Sequence, residues 1–168
     1  IGRFGNPGAE FVYQSTEFSL VQSNIDLTGN LVLQDTGVFA ANRTIGYQVM
    51  QGTVNLGSGT VVAGSSSTAF TIPVPASATG SATIVWDGSS FLRRNTDISL
   101  TGSNVAVGNA SLQNGDTNNS GEVDAADIDA IIAAFGDQTV SDADLDVSGE
   151  VDAADIDIAI ANFGGQND

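Results

Sequence analysis

The chain has 168 residues, enough for one ordinary domain or two small ones, with four basic and twenty acidic side chains and a net charge of −16. It contains no cysteine, histidine or lysine, which removes disulfides, thiolate metal sites, the usual near-neutral general base and the Schiff-base amine. Most enzyme classes lose their central residue, so a non-catalytic protein is expected.

The charge is unevenly spread. Arg3, Arg43, Arg93 and Arg94 lie before residue 116 together with six acids, a net −2, and the remaining 14 acids all follow. Such an acidic segment repels nucleic acid and anionic membranes and calls for cations. No apolar run approaches the roughly 20 residues of a membrane span, so no membrane insertion is expected. Ile1 is not a start methionine, which reads as a mature secreted product; the expected location is extracellular or at the cell surface, in a bacterium.

Residues 1–24 begin with Gly2, Gly5, Pro7 and Gly8 and turn into a strand-like stretch, Phe11 to Val21, with Val12, Phe18 and Leu20 on one alternating face. It reads either as the first strand of the next domain or as an arm that pairs with another subunit. Residues 25–112 then alternate short apolar runs with turn residues. The runs are Leu31 to Leu33, Thr44 to Met50, Thr53 to Leu56, Thr60 to Val62, Ala69 to Val74, Ala82 to Trp86, Asp97 to Leu100 and Val105 to Val107. This spacing predicts a β-sandwich. The Gly, Ser and Thr-rich stretch from Gly57 to Thr71 reads as a flexible hairpin or loop. Trp86, Phe91 and Arg93-Arg94 admit a carbohydrate-stacking surface, against the plainer reading of a core plug beside a solvated edge. Arginine-to-carboxylate contact with the acidic segment is expected.

Residues 113–168 carry a duplication. Asp116 to Asp127 recurs 28 residues later as Asp144 to Asp155, each copy with oxygen-bearing side chains at loop positions 1, 3, 5, 9 and 12 and Gly at position 6. That is the ligand spacing of an EF-hand-type calcium loop. The predicted ligands are Asp116, Asn118, Ser120, the Glu122 carbonyl, Asp124 and Asp127 for one ion, and Asp144, Asp146, Ser148, the Glu150 carbonyl, Asp152 and Asp155 for the second. Gly121 and Gly149 make the turns, and Val123 and Val151 are expected to pair across an inter-loop bridge. The second loop has four acidic side-chain ligands against three, so it is expected to bind more tightly. A helix follows each loop: Ile128, Ile131, Ile132 and Phe135 form an i, i+3, i+4, i+7 stripe that Ile156, Ala159, Ile160 and Phe163 repeat, with Gly136 and Gly164 at the expected C-caps. Burial of the two stripes against each other is expected.

Two calcium loop-helix units, with Asp at positions 1 and 12 and a terminal Phe-Gly, resemble a type I dockerin domain over residues 113–168. The segment Trp86 to Asn114 resembles the small β-sandwich found beside such repeats in secreted bacterial proteins. The resemblance implies folding on two calcium ions and docking onto a cohesin domain through helix positions that include loop positions 10 and 11. Those are Ala125-Ala126 and Ala153-Ala154 here, where cellulosomal examples carry Ser-Thr, and Ile132-Ala133 and Ile160-Ala161 stand in place of the family's basic residues. The expected fold is therefore a mainly β sandwich followed by a small all-α dockerin-like domain of two EF-hand-like repeats. Two functions follow. The first is a calcium-stabilised structural subunit that assembles with copies of itself into a filament or surface layer by N-terminal strand donation. The alternative is an adaptor that binds a cohesin-bearing protein, with the sandwich as a polysaccharide-binding or spacer module.

Overall fold

A computed structural model describes residues 23–37 and 39–168. The expectations for the N-terminal segment, whether first strand or inter-subunit arm, fall on residues 1–22 and lie outside the described residues. Eight strands and two helices follow in order: β1 (Asn24–Leu33), β2 (Arg43–Gln51), β3 (Val54–Ala63), β4 (Ser67–Pro75), β5 (Thr79–Gly88), β6 (Ser90–Thr101), β7 (Val105–Leu112), β8 (Asn114–Asp116), α1 (Ala125–Ala133) and α2 (Ala153–Ala161).

The strands follow from alternation. Ile25, Leu27, Leu31 and Leu33 of β1, Phe70, Ile72 and Val74 of β4, and Ala82, Ile84 and Trp86 of β5 are buried at every second position, which puts one face of each strand inward. Two sheets result, a three-stranded one in the order β4-β1-β7 and a five-stranded one in the order β3-β2-β5-β6-β8. Their inner faces share one core, centred on Trp86 with Phe70 edge-on to it at 4.9 Å between ring centroids. β1 pairs antiparallel with β4 and parallel with β7, shifting register between Thr28 and Gly29. A glycine is required there, because a Cβ at Gly29 would come within 2.2 Å of the Gly108 carbonyl oxygen and 2.7 Å of the Phe70 ring.

Two expectations are corrected. The stretch from Gly57 to Thr71 is not a flexible loop: β3 and β4 run through it, and the reversal occupies only Gly64 to Ser66. Nor is the sandwich followed by a separate all-α domain. The acidic segment opens as a strand, β8, hydrogen-bonded to β6 in the sandwich's own sheet, and its helices are two turns of nine residues each within a mostly β chain. The physical reason lies at Asn114, whose fully buried side-chain amide donates to the Leu145 carbonyl at 2.7 Å. Peptide groups at the junction are thereby satisfied by the sheet and by the second loop at once. Among the described residues no helix is long and apolar enough to cross a membrane.

Candidate metal centre and docking face

Each acidic loop is shaped by its own carboxylates. In the first, Asp116 accepts from the Ser120 and Gly121 amides, both at 2.8 Å, and Asn118 accepts from Ser120 at 2.9 Å. In the second, Asp144 accepts from Ser148 and Gly149 at 3.0 Å, and Asp146 accepts from Ser148 at 2.9 Å. Position 12 closes each loop: Asp127 accepts from the Asn118 and Asp124 amides, and Asp155 from those of Leu145, Asp146 and Asp152. Gly121 and Gly149 stand at φ 91° and 96°, the left-handed turn that position 6 demands.

Position 9 has a further task. Asp124 and Asp152 are the N-caps of α1 and α2, accepting from Ala126 and Ala154 at 2.7 Å, and each forms a capping box with the position-12 aspartate. The same carboxylates therefore end the loop and start the helix. Ser120 and Ser148 donate their hydroxyls to the position-7 carbonyls of Glu122 and Glu150, at 3.1 and 3.2 Å, so the oxygens at positions 5 and 7 stand side by side.

Convergence is strongest in the second loop, where carboxylate oxygens of Asp144, Asp146 and Asp155 lie within 4.8 Å of one another. Asn118 replaces the middle carboxylate in the first. Asp116, Asp127, Asp144 and Asp155 are all buried. Burial raises the Asp116 carboxyl above its ordinary value of 3.8, with Asp127's charge adding to it and the amides of Gly121, Ser120 and Asn119 opposing. Asp144 is raised in the same way, by burial and by the charges of Asp155 and Asp146, against donors from Gly149 and Ser148. An all-oxygen donor set whose negative charges crowd a desolvated site fits a hard divalent cation.

The loops are clamped to the sandwich by residues that spacing alone did not reveal. Arg43 at the start of β2, 8 % exposed, donates to the carbonyls of Ser141 and Asp144 at 2.8 and 2.5 Å and lies 3.8 Å from Asp142. The β1–β2 connection adds amide donors, Gly37 to the Asp146 carbonyl and Ala40 to that of Val147. The first loop is held from the other side. Asn167 accepts from the Arg93 amide and donates its own amide to the Gly121 carbonyl, while Asp168 accepts from Arg94 at 3.1 Å and from the Asn95 amide. The expected arginine-to-carboxylate contact is thus present, at Arg94 and more deeply at Arg43.

Three further expectations change. Val123 and Val151 do not pair with each other. Val123 exchanges backbone hydrogen bonds with Gly164 and Gly165 after α2, and Val151 with Gly136 and Asp137 after α1. The C-caps are Ala134 and Asn162, with Gly136 and Gly164 two residues beyond at φ 89° and 85°. The stripes are not mutually buried: Ile131 and Ala159 are fully covered, whereas Ile132, Phe135, Ile160 and Phe163 are 55 to 58 % exposed. Helices of nine residues are too short to bury a four-member stripe on one facing partner. Trp86 is fully buried and donates its indole N–H to Thr96 at 3.1 Å, a core plug and not a stacking platform.

A scan of protein-family models finds no match, and a sequence search of curated proteins finds none either. Solved structures do match. A chain of a type II cohesin-X-dockerin complex from Acetivibrio cellulolyticus, an N-terminal interface mutant, superposes with a TM-score of 0.67 at 16% identity, covering 85% of this chain and 97% of that one. A C-terminal interface mutant of the same complex gives a TM-score of 0.57 at 17% identity, with 84% and 97% covered. The fold is therefore a β-sandwich fold of the kind found in cohesin–dockerin assemblies. At this identity the likeness concerns the fold alone; it lends no support to a calcium site, an EF-hand-like repeat, a polysaccharide partner or a filament, which rest on the residues themselves.

Proposed function

We propose that the protein is a non-catalytic, extracellular or cell-surface protein–protein interaction module of the cohesin–dockerin kind. In this reading its dockerin-like loop-helix units hold two calcium ions and present a docking face to a cohesin-type partner. The ions would be held by Asp116, Asn118, Ser120, Glu122, Asp124 and Asp127, and by Asp144, Asp146, Ser148, Glu150, Asp152 and Asp155. Bound calcium would supply the positive charge that these crowded carboxylates, four of them buried, call for. The chain's own residues do the rest: Asp124 and Asp152 cap the helices, and Arg43 and Asn114 fix the loops to the sandwich. Asp at position 12, shorter than the usual Glu, suits the weaker affinities of extracellular calcium modules.

The observation that carries this reading is the duplicated exposed pair, Ile132 with Phe135 and Ile160 with Phe163. Four large apolar side chains standing more than half exposed at equivalent positions are the signature of a face made to be covered. Asp129 and Asp157, both exposed, rim them, so the partner face is expected to be apolar at its centre and basic at its edge.

The test is calorimetry of the full chain against type II cohesin domains, with calcium and with chelator. Binding in calcium is expected, with loss in chelator and a fall of about 30-fold or more when Ile132→Asp and Phe135→Asp, or Ile160→Asp and Phe163→Asp, remove an anchor pair. Equal binding by wild type and both double variants would overturn the face assigned here. The variants themselves should keep their unfolding temperature, since exposed substitutions move stability by only about 0.5 kcal/mol.

A further inference from the structure

A second interaction surface lies on the sandwich, away from the loops. The three-stranded sheet ends at β7, whose outer edge has no strand partner among the described residues. Of the other outer strands, β4 carries Pro73 and Pro75 and β8 is three residues long and buried. β3 is also uncharged and free of proline, but it combines a register shift opposite Val49 with Gly57 and Gly59 and belongs to the other sheet. β7 has eight residues with no charge and no proline, interrupted only by the bulge at Val107, and its Val105 and Val107 are half-covered against the core. Such an edge is a template for another strand.

We propose that this edge accepts residues Phe11 to Val21 of a second copy of the chain. The segment has eleven residues with no Pro or Gly and a single charge, Glu17; extended, it would span about 36 Å and could overlay all of β7. It enters the sandwich at the start of β1, both of whose edges are already taken by β4 and β7. It also enters at the end where β1 overruns β7 by three residues, since Leu27 is the residue level with Val105. To lie along its own β7 the chain would have to reverse and cross two strand spacings, roughly 9.6 Å, within the link from Val21 to Asn24. That link reaches only about 10 Å when fully extended, so pairing within the subunit would have to leave the last residues of the segment unpaired to make the reversal. A neighbour's β7 carries no such constraint. The near-neutral part of the chain provides both partners, so the −14 of the acidic segment stays out of the contact. Donation of this kind is head-to-tail and generates an open polymer.

The cysteine-free chain offers a direct test. Asn109→Cys, at an exposed position of β7, is mixed in calcium with single-cysteine chains carrying Tyr13→Cys, Ser15→Cys, Glu17→Cys or Ser19→Cys, and the mixtures are oxidised. A mixed disulfide dimer is expected at one or two adjacent arm positions, absent when each variant is oxidised alone. The inference does not rest on the cohesin reading, and either can fail without the other. A monomeric intramolecular disulfide in chains carrying both cysteines, with no mixed dimer, would show that the arm pairs within its own subunit and would overturn the proposal. Absence of any cross-link across the four positions would overturn it too.

Discussion

Among the described carboxyls, Asp116 and Asp144 are set apart by what burial does to them. Both carboxyls are raised above 3.8, chiefly by burial, so the native chain takes up protons at these sites before the unfolded chain does. Stability from these groups is then present near pH 3.8 and lost as pH rises through their raised values. The prediction is that, in chelator, the thermal unfolding temperature rises as pH is lowered from neutrality into the window just above 3.8. In saturating calcium the trend should reverse, because the cation favours the ionised form and protons compete with it. A chelated protein whose unfolding temperature falls steadily across that window would contradict the assignment. Val147 is a second uneasy residue, buried, β-branched and at φ 60°, where loop one carries Asn119 at φ 55°. A left-handed valine costs about 1–2 kcal/mol, offset here by burial of its side chain. The loop turns at this scale were legible because they depend on local spacing: Gly121 and Gly149 take the left-handed conformation that position 6 requires. The strain at Val147 and the guanidinium of Arg43 were not, since both answer to groups far away in sequence.

At the scale of elements, the crosswise stapling of the loops matters most. Asp155 closes loop two and completes the capping box of α2; the turn after α2 brings Gly164 and Gly165 onto Val123 of loop one. The reciprocal route runs from Asp127 through α1 to Gly136, Asp137 and Val151. Each site therefore leans on the helix that the other begins, and coupling of about 1–3 kcal/mol is expected. Asp155→Ala should abolish calcium uptake at the second site and weaken the first by roughly 5-fold or more, read by calorimetry. A first site unmoved by that substitution would contradict the coupling. The helices themselves were readable from period, whereas the capping boxes of Asp124 with Asp127 and Asp152 with Asp155 emerged only in the structure. Their burial was misread for two reasons: Phe135 and Phe163 sit beyond Ala133 and Ala161, where the helix has already ended, and within the helices only Ile131 and Ala159 are fully covered while Ile132 and Ile160 stand exposed beside them. Likewise the apolar pattern of Val54 to Val62 marked strand β3 only in fragments, because Gly57 and Gly59 leave no side chain to count. Gly59 is spent on Tyr47, whose hydroxyl a Cβ there would meet at 2.7 Å and whose ring at 2.9 Å.

For the whole molecule, the β-sandwich was legible from the succession of short alternating runs, while the division of the chain was not. Composition changes abruptly near residue 115, but the backbone does not: β8 carries Asp116 into the five-stranded sheet, and Arg43, Asn114 and Asn167 tie both loops to it. Charge and fold obey different rules here, because exposed carboxylates are free to gather in one segment while peptide groups pair wherever burial requires it. The consequence is a sandwich whose acidic loops, if they hold the proposed calcium, would stiffen the surface from which Ile132, Phe135, Ile160 and Phe163 project. The most direct measurement is a calorimetric calcium titration of the full chain beside Asp116→Ala and Asp144→Ala. Two ions per chain are predicted, the tighter at the second loop, with one high-affinity site lost in each variant. No calcium uptake, or uptake of two ions unchanged by both substitutions, would contradict the account.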